Sequence, residues 1–254
     1  MRIGVTGCGG RMGRMLMEAV RAVEGCTLVG GSVRPGSVAP DLGVPVLTDP
    51  AGLFALSDVV LDFTNPAATA RHADLAAEHG KVLVVGTTGL SGEEEDRLRR
   101  AAGKVAVVYA PNFNIGLNLL MALTERAASV LADDYDIEIV EMHHRHKVDA
   151  PSGTALGLGR AAAAGRGVAL DGVWCKARDG HTGARPKGEI GFATLRGGDV
   201  VGDHTVMFAA EGERVGLTHK ASSRAVFAKG AVRAALWAKG KPAGLCTMRD
   251  VLGL

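Results

Sequence analysis

Ile3-Gly-Val-Thr-Gly-Cys-Gly-Gly-Arg-Met-Gly13 decides the fold: a short apolar strand runs into a glycine-rich turn, and the turn opens a helix-periodic segment over Arg11–Val23. Gly7, Gly10 and Gly13 form G-x-x-G-x-x-G, one residue longer than the usual dinucleotide fingerprint. Residues without a side chain let backbone amides and the positive end of a helix approach phosphate oxygens, and Gly13 permits close packing of helix on strand. In a chain with 36 glycines the same turn also reads as an ordinary tight turn, but its place between strand and helix favours the phosphate reading. Cys8 would lie against the negative pyrophosphate, so it reads as a small neutral loop residue and not as a nucleophile.

Outward from this turn, apolar runs alternate with helical patterns. Strands are predicted at Arg2–Thr6, Thr27–Val33, Val44–Leu47, Asp58–Phe63, Lys81–Val85 and Val105–Tyr109. A helix opens at Pro66, and Ser91-Gly-Glu-Glu94 is a capping box ahead of another. Near-continuous Val, Ile and Leu strands separated by helices imply a parallel sheet buried on both faces, that is, an α/β, Rossmann-like doubly wound domain.

After Pro111 the rhythm changes. A long helical pattern covers Ile115–Leu131, a strand is predicted at Asp136–Met142 and a helix at Ser152–Ala164; Glu189–Leu195, Val200–Ala209 and Glu213–His219 then follow as strands, pairing largely antiparallel or in a mixed sheet. Ser222–Lys239 reads as a capped helix carrying Val226, Phe227, Val232 and Leu236, returning to the first domain. The predicted division is a dinucleotide-binding domain over 1–114 and 222–254, with an α+β substrate and oligomerisation domain over 115–221. Ala161–Gly167 and Arg178–Lys187 read as mobile, loop-rich connections.

A net charge of +2 and 4% aromatic residues supply neither the basic footprint nor the stacking platforms of a nucleic-acid binder. Read from the sequence, no apolar run approaches the roughly 18 residues of a membrane span, and the chain enters a strand at once, so a cytoplasmic protein is expected. Cys8, Cys26, Cys175 and Cys246 have no C-x-x-C spacing and read as reduced thiols, with neither a disulfide framework nor structural zinc.

The second predicted strand ends in Gly30-Gly-Ser-Val-Arg34. The acid that binds the ribose hydroxyls of NAD is missing there; Arg34, with Ser32 close by, suits a 2′-phosphate, so NADPH is preferred over NADH. Gly86-Thr-Thr88 and Ala110-Pro-Asn-Phe113 leave the carboxyl ends of the fifth and sixth strands, where open α/β sheets place ligands; both also read as ordinary turns.

Glu141-Met-His-His-Arg-His-Lys-Val-Asp-Ala-Pro-Ser-Gly-Thr154 is denser in chemistry than folding requires. An anionic ligand would meet the Lys147 charge, an imidazole donor from His144 and the amides of Gly153 and Thr154 at a helix start, with His143 as the acid. The competing readings are a solvated charged loop, or a metal site built from His143 with Asp149 or His146, which the adjacent Lys and Arg oppose; no metal is expected. Arg145 and His146 read as supports of the loop.

These motifs, with Ile190-Gly-Phe-Ala-Thr-Leu-Arg196, resemble the 4-hydroxy-tetrahydrodipicolinate reductase (dihydrodipicolinate reductase) family over nearly the whole chain. The resemblance implies hydride transfer from NADH or NADPH to a cyclic, unsaturated dicarboxylate formed from aspartate semialdehyde and pyruvate, with loss of water, giving tetrahydrodipicolinate in lysine and diaminopimelate biosynthesis. It implies proton donors at His143 and Lys147, and substrate contacts at His144, Gly153 and Thr154. Cofactor contacts are implied at Gly7, Cys8, Gly9, Gly10, Arg11 and Met12, at Gly86, Thr87 and Thr88, and at Ala110, Pro111, Asn112 and Phe113. A homotetramer assembled through the second domain's sheet is implied too, with a hinge that closes over ligands. Arg34 departs from the pattern, standing where many members carry an acid. Two other readings use the glycine turn: an amino-acid dehydrogenase on the same scaffold, and a non-catalytic nucleotide sensor.

Overall fold

The computed structural model describes residues 1–37 and 41–254. The chain begins with β1 (Arg2–Thr6), α1 (Arg11–Arg21), β2 (Thr27–Ser32), β3 (Val46–Leu47) and α2 (Pro50–Leu56), then β4 (Val59–Asp62), α3 (Pro66–His79), β5 (Val82–Val85), α4 (Gly92–Ala102) and β6 (Ala106–Tyr109). It continues with α5 (Ile115–Leu131), β7 (Asp136–His143), α6 (Gly153–Gly165), β8 (Trp174–Cys175), β9 (Ile190–Arg196), β10 (Gly202–Ala210) and β11 (Glu213–Ala221). It ends with α7 (Ala225–Ala238), β12 (Gly244–Cys246) and α8 (Met248–Leu252). Two compact units result, one of Met1–Ile115 with Ala225–Leu254 and one of Gly116–Arg224.

The first unit is a seven-stranded parallel sheet in the order β12-β6-β5-β4-β1-β2-β3, a doubly wound sheet as the alternation of strands and helices predicts. All four residues of β4 are buried, which is why that strand carries no polar alternation. On α1 the buried positions Gly13, Leu16, Met17 and Val20 fall at helical spacing and form its core stripe. The capping box of α4 forms as read: Ser91 Oγ accepts from Glu94 N while Glu94 accepts from Ser91 N.

The returning helix packs differently from the expectation. Of Val226, Phe227, Val232 and Leu236, only Val232 is fully buried, and the inward face of α7 is instead Ala228, Gly230, Ala231, Ala234, Ala235 and Ala238. Small residues win because the helix lies almost on the backbone of the sheet's loops: a Cβ at Gly230 would stand 1.7 Å from Phe113 O. α7 starts at Ala225, three residues after the predicted start. The elements unread in the sequence, α2, β8, β12 and α8, have two to seven residues each, too short for a periodic signal.

The second unit is a mixed sheet in the order β11-β10-β7-β9-β8. β10 is antiparallel to both β11 and β7, but β9 does not pair with its sequence neighbour β10; it lies parallel to β7 on the other side. Ile137, Ile139, Phe192, Val206 and Phe208 of one face form a core with Leu117 and Leu120 of α5 and Ala155, Leu158 and Ala162 of α6. The opposite face, with Val140, Met142, Ala193, Leu195, Thr205 and Met207, is half-buried or exposed.

Three expectations are corrected here. Ala161–Gly165 is the last part of α6 and not a loop; alanine is the strongest helix former, and Ala162 and Ala163 are buried. Arg178–Lys187 has no regular element, yet Arg185 pins it: Nε donates to Glu138, Nη1 to Asp136 and Nη2 to the carbonyls of Ile137 and Glu189. And the helical stretch Ile115–Asp134 holds an 18-residue window of mean hydropathy 1.3, apolar enough by length and composition to cross a membrane. Its apolar side chains spread around the helix: Leu117, Leu120 and Ala128 face the core, while Leu119, Leu123 and Val130 are exposed.

Candidate active site

In the first unit, the carboxyl end of β1 turns through Gly7, whose φ of +63° suits glycine, into α1. A Cβ at Gly13 would stand 2.3 Å from Gly7 O and 2.7 Å from Cys8 Cα, so the helix start presses directly on the turn. Gly10 is the N-cap of α1, no side chain caps that helix, and its first turn holds no acid. Free first-turn amides at the positive end of a helix form a cradle for phosphate. The residues present therefore fit a dinucleotide.

A cavity of about 440 Å³ opens beside this turn, lined by Gly7, Gly9, Gly10, Val33, Arg34, Ser37, Phe63, Thr64 and Asn65. Arg34 is exposed at its rim. Ser32, read as its companion, is buried, and Ser37 lines the cavity instead. Cys8 is fully buried against Gly31, where a Cβ would meet its sulfur at 2.5 Å, and burial pushes its thiol pKa up. That is the environment of a space-filling neutral residue. Arg11 and Met12 belong to the first turn of α1 and do not line the cavity.

The loops after β5 and β6 meet through an aromatic pair. Gly86 packs against the Phe63 ring, which a Cβ would enter at 2.0 Å, and Phe63 stands 5.3 Å from Phe113, ring centre to ring centre. Thr87 is buried, and its hydroxyl accepts from Thr64 N at 3.0 Å and from Thr69 Oγ1 at 2.8 Å, so it is committed within the protein. Thr88 and Pro111 are exposed, Ala110 is buried, and Asn112 Oδ1 accepts from Asn114 N.

Beneath these loops lies a polar knot at Asp62-Phe-Thr64, which the sequence places, like them, at the carboxyl end of a strand. Asp62, fully buried at the end of β4, accepts from Thr6 Oγ1 at 2.8 Å and Thr64 Oγ1 at 2.6 Å, and its other oxygen is 3.2 Å from His72 Nδ1. Burial alone would raise this carboxyl; the His72 contact and the threonine hydroxyls outweigh it and hold the pKa low.

In the second unit, β7 alternates inward and outward, and its inward positions are Ile137, Ile139, Glu141 and His143. The last two carry chemistry into what the pattern marks as core. Glu141 accepts from His143 Nδ1 at 2.5 Å, from Arg196 Nη1 and Nη2 at 2.9 Å each, and from Ser152 N at 3.0 Å. Burial favours its neutral form, but the donors prevail, Arg196 foremost, and the carboxyl stays below its usual range. A second imidazole, His204, packs edge-on to His143 at 5.0 Å and lies 3.2 Å from Ser152 Oγ. Burial, and then the neighbouring His143, push the His204 pKa down to about 4, so it is neutral at physiological pH.

Ser152 also N-caps α6, accepting from Ala155 N. Gly153 and Thr154 form the first turn of that helix, close in sequence to Lys147, whose Nζ is 2.7 Å from Asp149 Oδ1. The Lys147 hydrogen bond, against the opposing effect of burial, holds the Asp149 carboxyl low. His144 is half-buried, its pKa lowered by desolvation and then by the Arg224 charge, whose Nη2 is 3.5 Å from His144 Nε2. The turn is fixed by His144 N to Val200 O, Arg145 N to Gly198 O and Lys147 N to His144 O. Arg145 and His146 are exposed, the His146 ring 6.3 Å from that of His144.

The second unit thus brings together His143, His144, Lys147, Gly153 and Thr154, and adds Glu141, Ser152, Arg196, His204 and Arg224. Glu141, His143 and His204 offer ligand atoms all within 4.8 Å of one another, a spacing that a metal could use. The Arg196 guanidinium already holds Glu141 through two bonds, so the carboxylate there is matched to a cation of the protein itself.

Residues 1–113 match the domain family described as dihydrodipicolinate reductase, N-terminus, and residues 116–252 match the one described as dihydrodipicolinate reductase, C-terminus. A 4-hydroxy-tetrahydrodipicolinate reductase of Dinoroseobacter shibae is 54% identical over 98% of this chain and 97% of its own. A 4-hydroxy-tetrahydrodipicolinate reductase 1 of Mesorhizobium japonicum is 53% identical over 100% of this chain and 97% of its own. Among solved structures, the dipicolinate-bound dihydrodipicolinate reductase of Paenisporosarcina sp. TG-14 superposes with a TM-score of 0.81 at 26% identity, covering 97% of each chain. With the glycine cradle in one unit and the histidine stretch in the other, each matched to its own half of the family, this chain belongs to the dihydrodipicolinate reductase family.

Proposed function

We propose that the chain catalyses NAD(P)H-dependent reduction of 4-hydroxy-tetrahydrodipicolinate to tetrahydrodipicolinate, with loss of water, in lysine and diaminopimelate biosynthesis. The observation that carries this reading is the buried Glu141–His143 pair beside Lys147 and the start of α6, in a chain 54% identical to a reductase of that name. The first unit binds the nucleotide and the second binds the dicarboxylate. Gly7, Cys8, Gly9, Gly10, Arg11 and Met12 bring backbone to the pyrophosphate, and the loops at Gly86–Thr88 and Ala110–Phe113 hold the nicotinamide end. When bound, the nicotinamide supplies a hydride to the substrate ring.

The remaining work falls to the second unit. Lys147, His144 and the amides of Gly153 and Thr154 hold a carboxylate, which must displace Asp149 from Lys147. His143, or Lys147, supplies the proton that balances the hydride. An amino-acid dehydrogenase would use the glycine turn without needing this cluster, and a nucleotide sensor would not need a buried proton donor.

Arg34 and Ser37 at the cavity rim favour NADPH over NADH, because a guanidinium there meets a 2′-phosphate where an acid would repel it. An absorbance assay supplying pyruvate, aspartate semialdehyde and the preceding synthase tests reaction and cofactor together. NADPH should be consumed only when both precursors are present, and with a lower KM than NADH. Oxidation of an amino acid, or no turnover with either nucleotide, would refute the reading.

The protein acts in the cytoplasm as a homotetramer joined through the outer face of the second sheet; four unpaired cysteines suit that reducing compartment, and the face carries Val140, Met142, Leu195 and Met207. Leu195 is 50% exposed within one chain. Leu195→Glu would place unpaired carboxylates in the interface and should shift the mass in sedimentation equilibrium from four chains to fewer, without unfolding the protein. A single-chain mass for the unaltered protein would rule out the tetramer.

A further inference from the structure

Folding gives no reason for a carboxylate at an inward position of β7, where a leucine would avoid the cost of desolvation. Arg196 answers the Glu141 charge with two bonds of 2.9 Å, and the Ser152 amide adds one of 3.0 Å. The bond to His143 Nδ1 comes in addition, and its geometry has a chemical result. An ionised carboxylate only accepts hydrogen bonds, so Nδ1 must be the nitrogen that donates. In the neutral ring, Nε2 is then the bare nitrogen.

The surroundings of Nε2 point the same way. Gly202 lies across the sheet at the start of β10, and a Cβ there would stand 3.0 Å from His143 Nε2 and 3.4 Å from its Cδ2. Any larger residue would crowd the one nitrogen that Glu141 leaves open. His204, packed edge-on to the ring and neutral, braces His143 without adding a second positive charge.

We propose that Glu141 is a positioning residue for proton transfer: it holds the Nδ1 proton of His143, so that Nε2 is the atom that exchanges a proton with the ligand, while Gly202 keeps Nε2 unobstructed. This rests on His143 as the proton donor. The proton leaves Nε2 of the imidazolium for the reduced substrate, and solvent returns it to the same nitrogen; Glu141 stays ionised throughout. The arrangement matches the general rule that a histidine's far nitrogen, through its hydrogen bond, sets the tautomer of the working one.

The test reads the tautomer without turnover. In protein labelled with ¹⁵N-histidine, long-range ¹H–¹⁵N correlation should find neutral His143 protonated at Nδ1, the signal being assigned by its loss in His143→Gln. In Glu141→Gln that preference should collapse toward a mixture with the Nε2-protonated form. Kinetically, Glu141→Gln should lower kcat by about 100-fold, within the range that a general acid contributes, with little change in nucleotide KM. Glu141→Asp should recover part of the loss, and Gly202→Ala should lower kcat with the Nδ1 tautomer intact. A His143 protonated at Nε2 in the unaltered protein overturns the proposal, as does undiminished kcat in Glu141→Gln or Gly202→Ala. Should Glu141→Gln fail to fold, the unaltered protein and Gly202→Ala decide. The reductase reading itself stands or falls on the NADPH assay of the unaltered chain.

Discussion

His143→Ala is expected to lower kcat by roughly 10²- to 10⁴-fold, the contribution of a positioned general acid, while nucleotide affinity stays unchanged. The separation follows from the architecture: His143 ends β7 in the second unit, and the phosphate cradle belongs to β1 and α1 in the first. The fold should survive, because Glu141 keeps both Arg196 bonds and the Ser152 amide when the imidazole is gone. Steady-state kinetics with a fluorescence titration of NADPH checks both halves. Unchanged turnover would remove His143 from the chemistry and leave Lys147 as the donor; lost nucleotide binding would mean that the variant reports misfolding.

Gly13→Ala should damage the phosphate cradle of the first unit most directly. Its Cβ would lie 2.3 Å from Gly7 O and 2.7 Å from Cys8 Cα, and both obstacles are backbone, so no rotamer change relieves the clash. Overpacking usually costs about 1–3 kcal/mol, and a clash with backbone belongs at the upper end or above it. For a chain of this size that is a fall in Tm of roughly 5–10 °C, with at least about a tenfold loss of nucleotide affinity, since the displaced groups are those that would face the pyrophosphate. Gly10→Ala is the control, because its Cβ would lie 3.3 Å from Gly7 O and a shift of a few tenths of an ångström suffices. If differential scanning fluorimetry and titration found the two variants equal, the close approach of helix to turn would not be what positions the cradle.

The doubly wound sheet was legible because strands buried on both faces are written as unbroken apolar runs, and the glycine turn marks where the first of them ends. The face of α7 was not, since a hydrophobicity pattern rewards Phe227 and Leu236, whereas close helix packing selects alanine and glycine. The mixed order of the second sheet was hidden for another reason: the pairing of β9 with β7 spans more than 50 residues, and no local signal carries it. In the site, the histidine stretch was visible as a cluster in sequence. Arg196 and His204 were not, because they reach Glu141 and His143 from neighbouring strands. A signal did exist in β7: Glu141 and His143 continue the parity of Ile137 and Ile139, and charged groups at inward positions of a strand mark chemistry before any partner is known.

The irregular stretch around Arg185 bears on how the chain withstands digestion. A protease of trypsin type must draw an arginine outward into a deep acidic slot before it cuts. Arg185 is instead spent on Asp136, Glu138 and two carbonyls, its side chain 19% exposed. The bond after Arg185 leads into Pro186 and resists such enzymes in any case, so what the guanidinium guards is the run it fastens down, which holds the exposed Lys176 and Lys187.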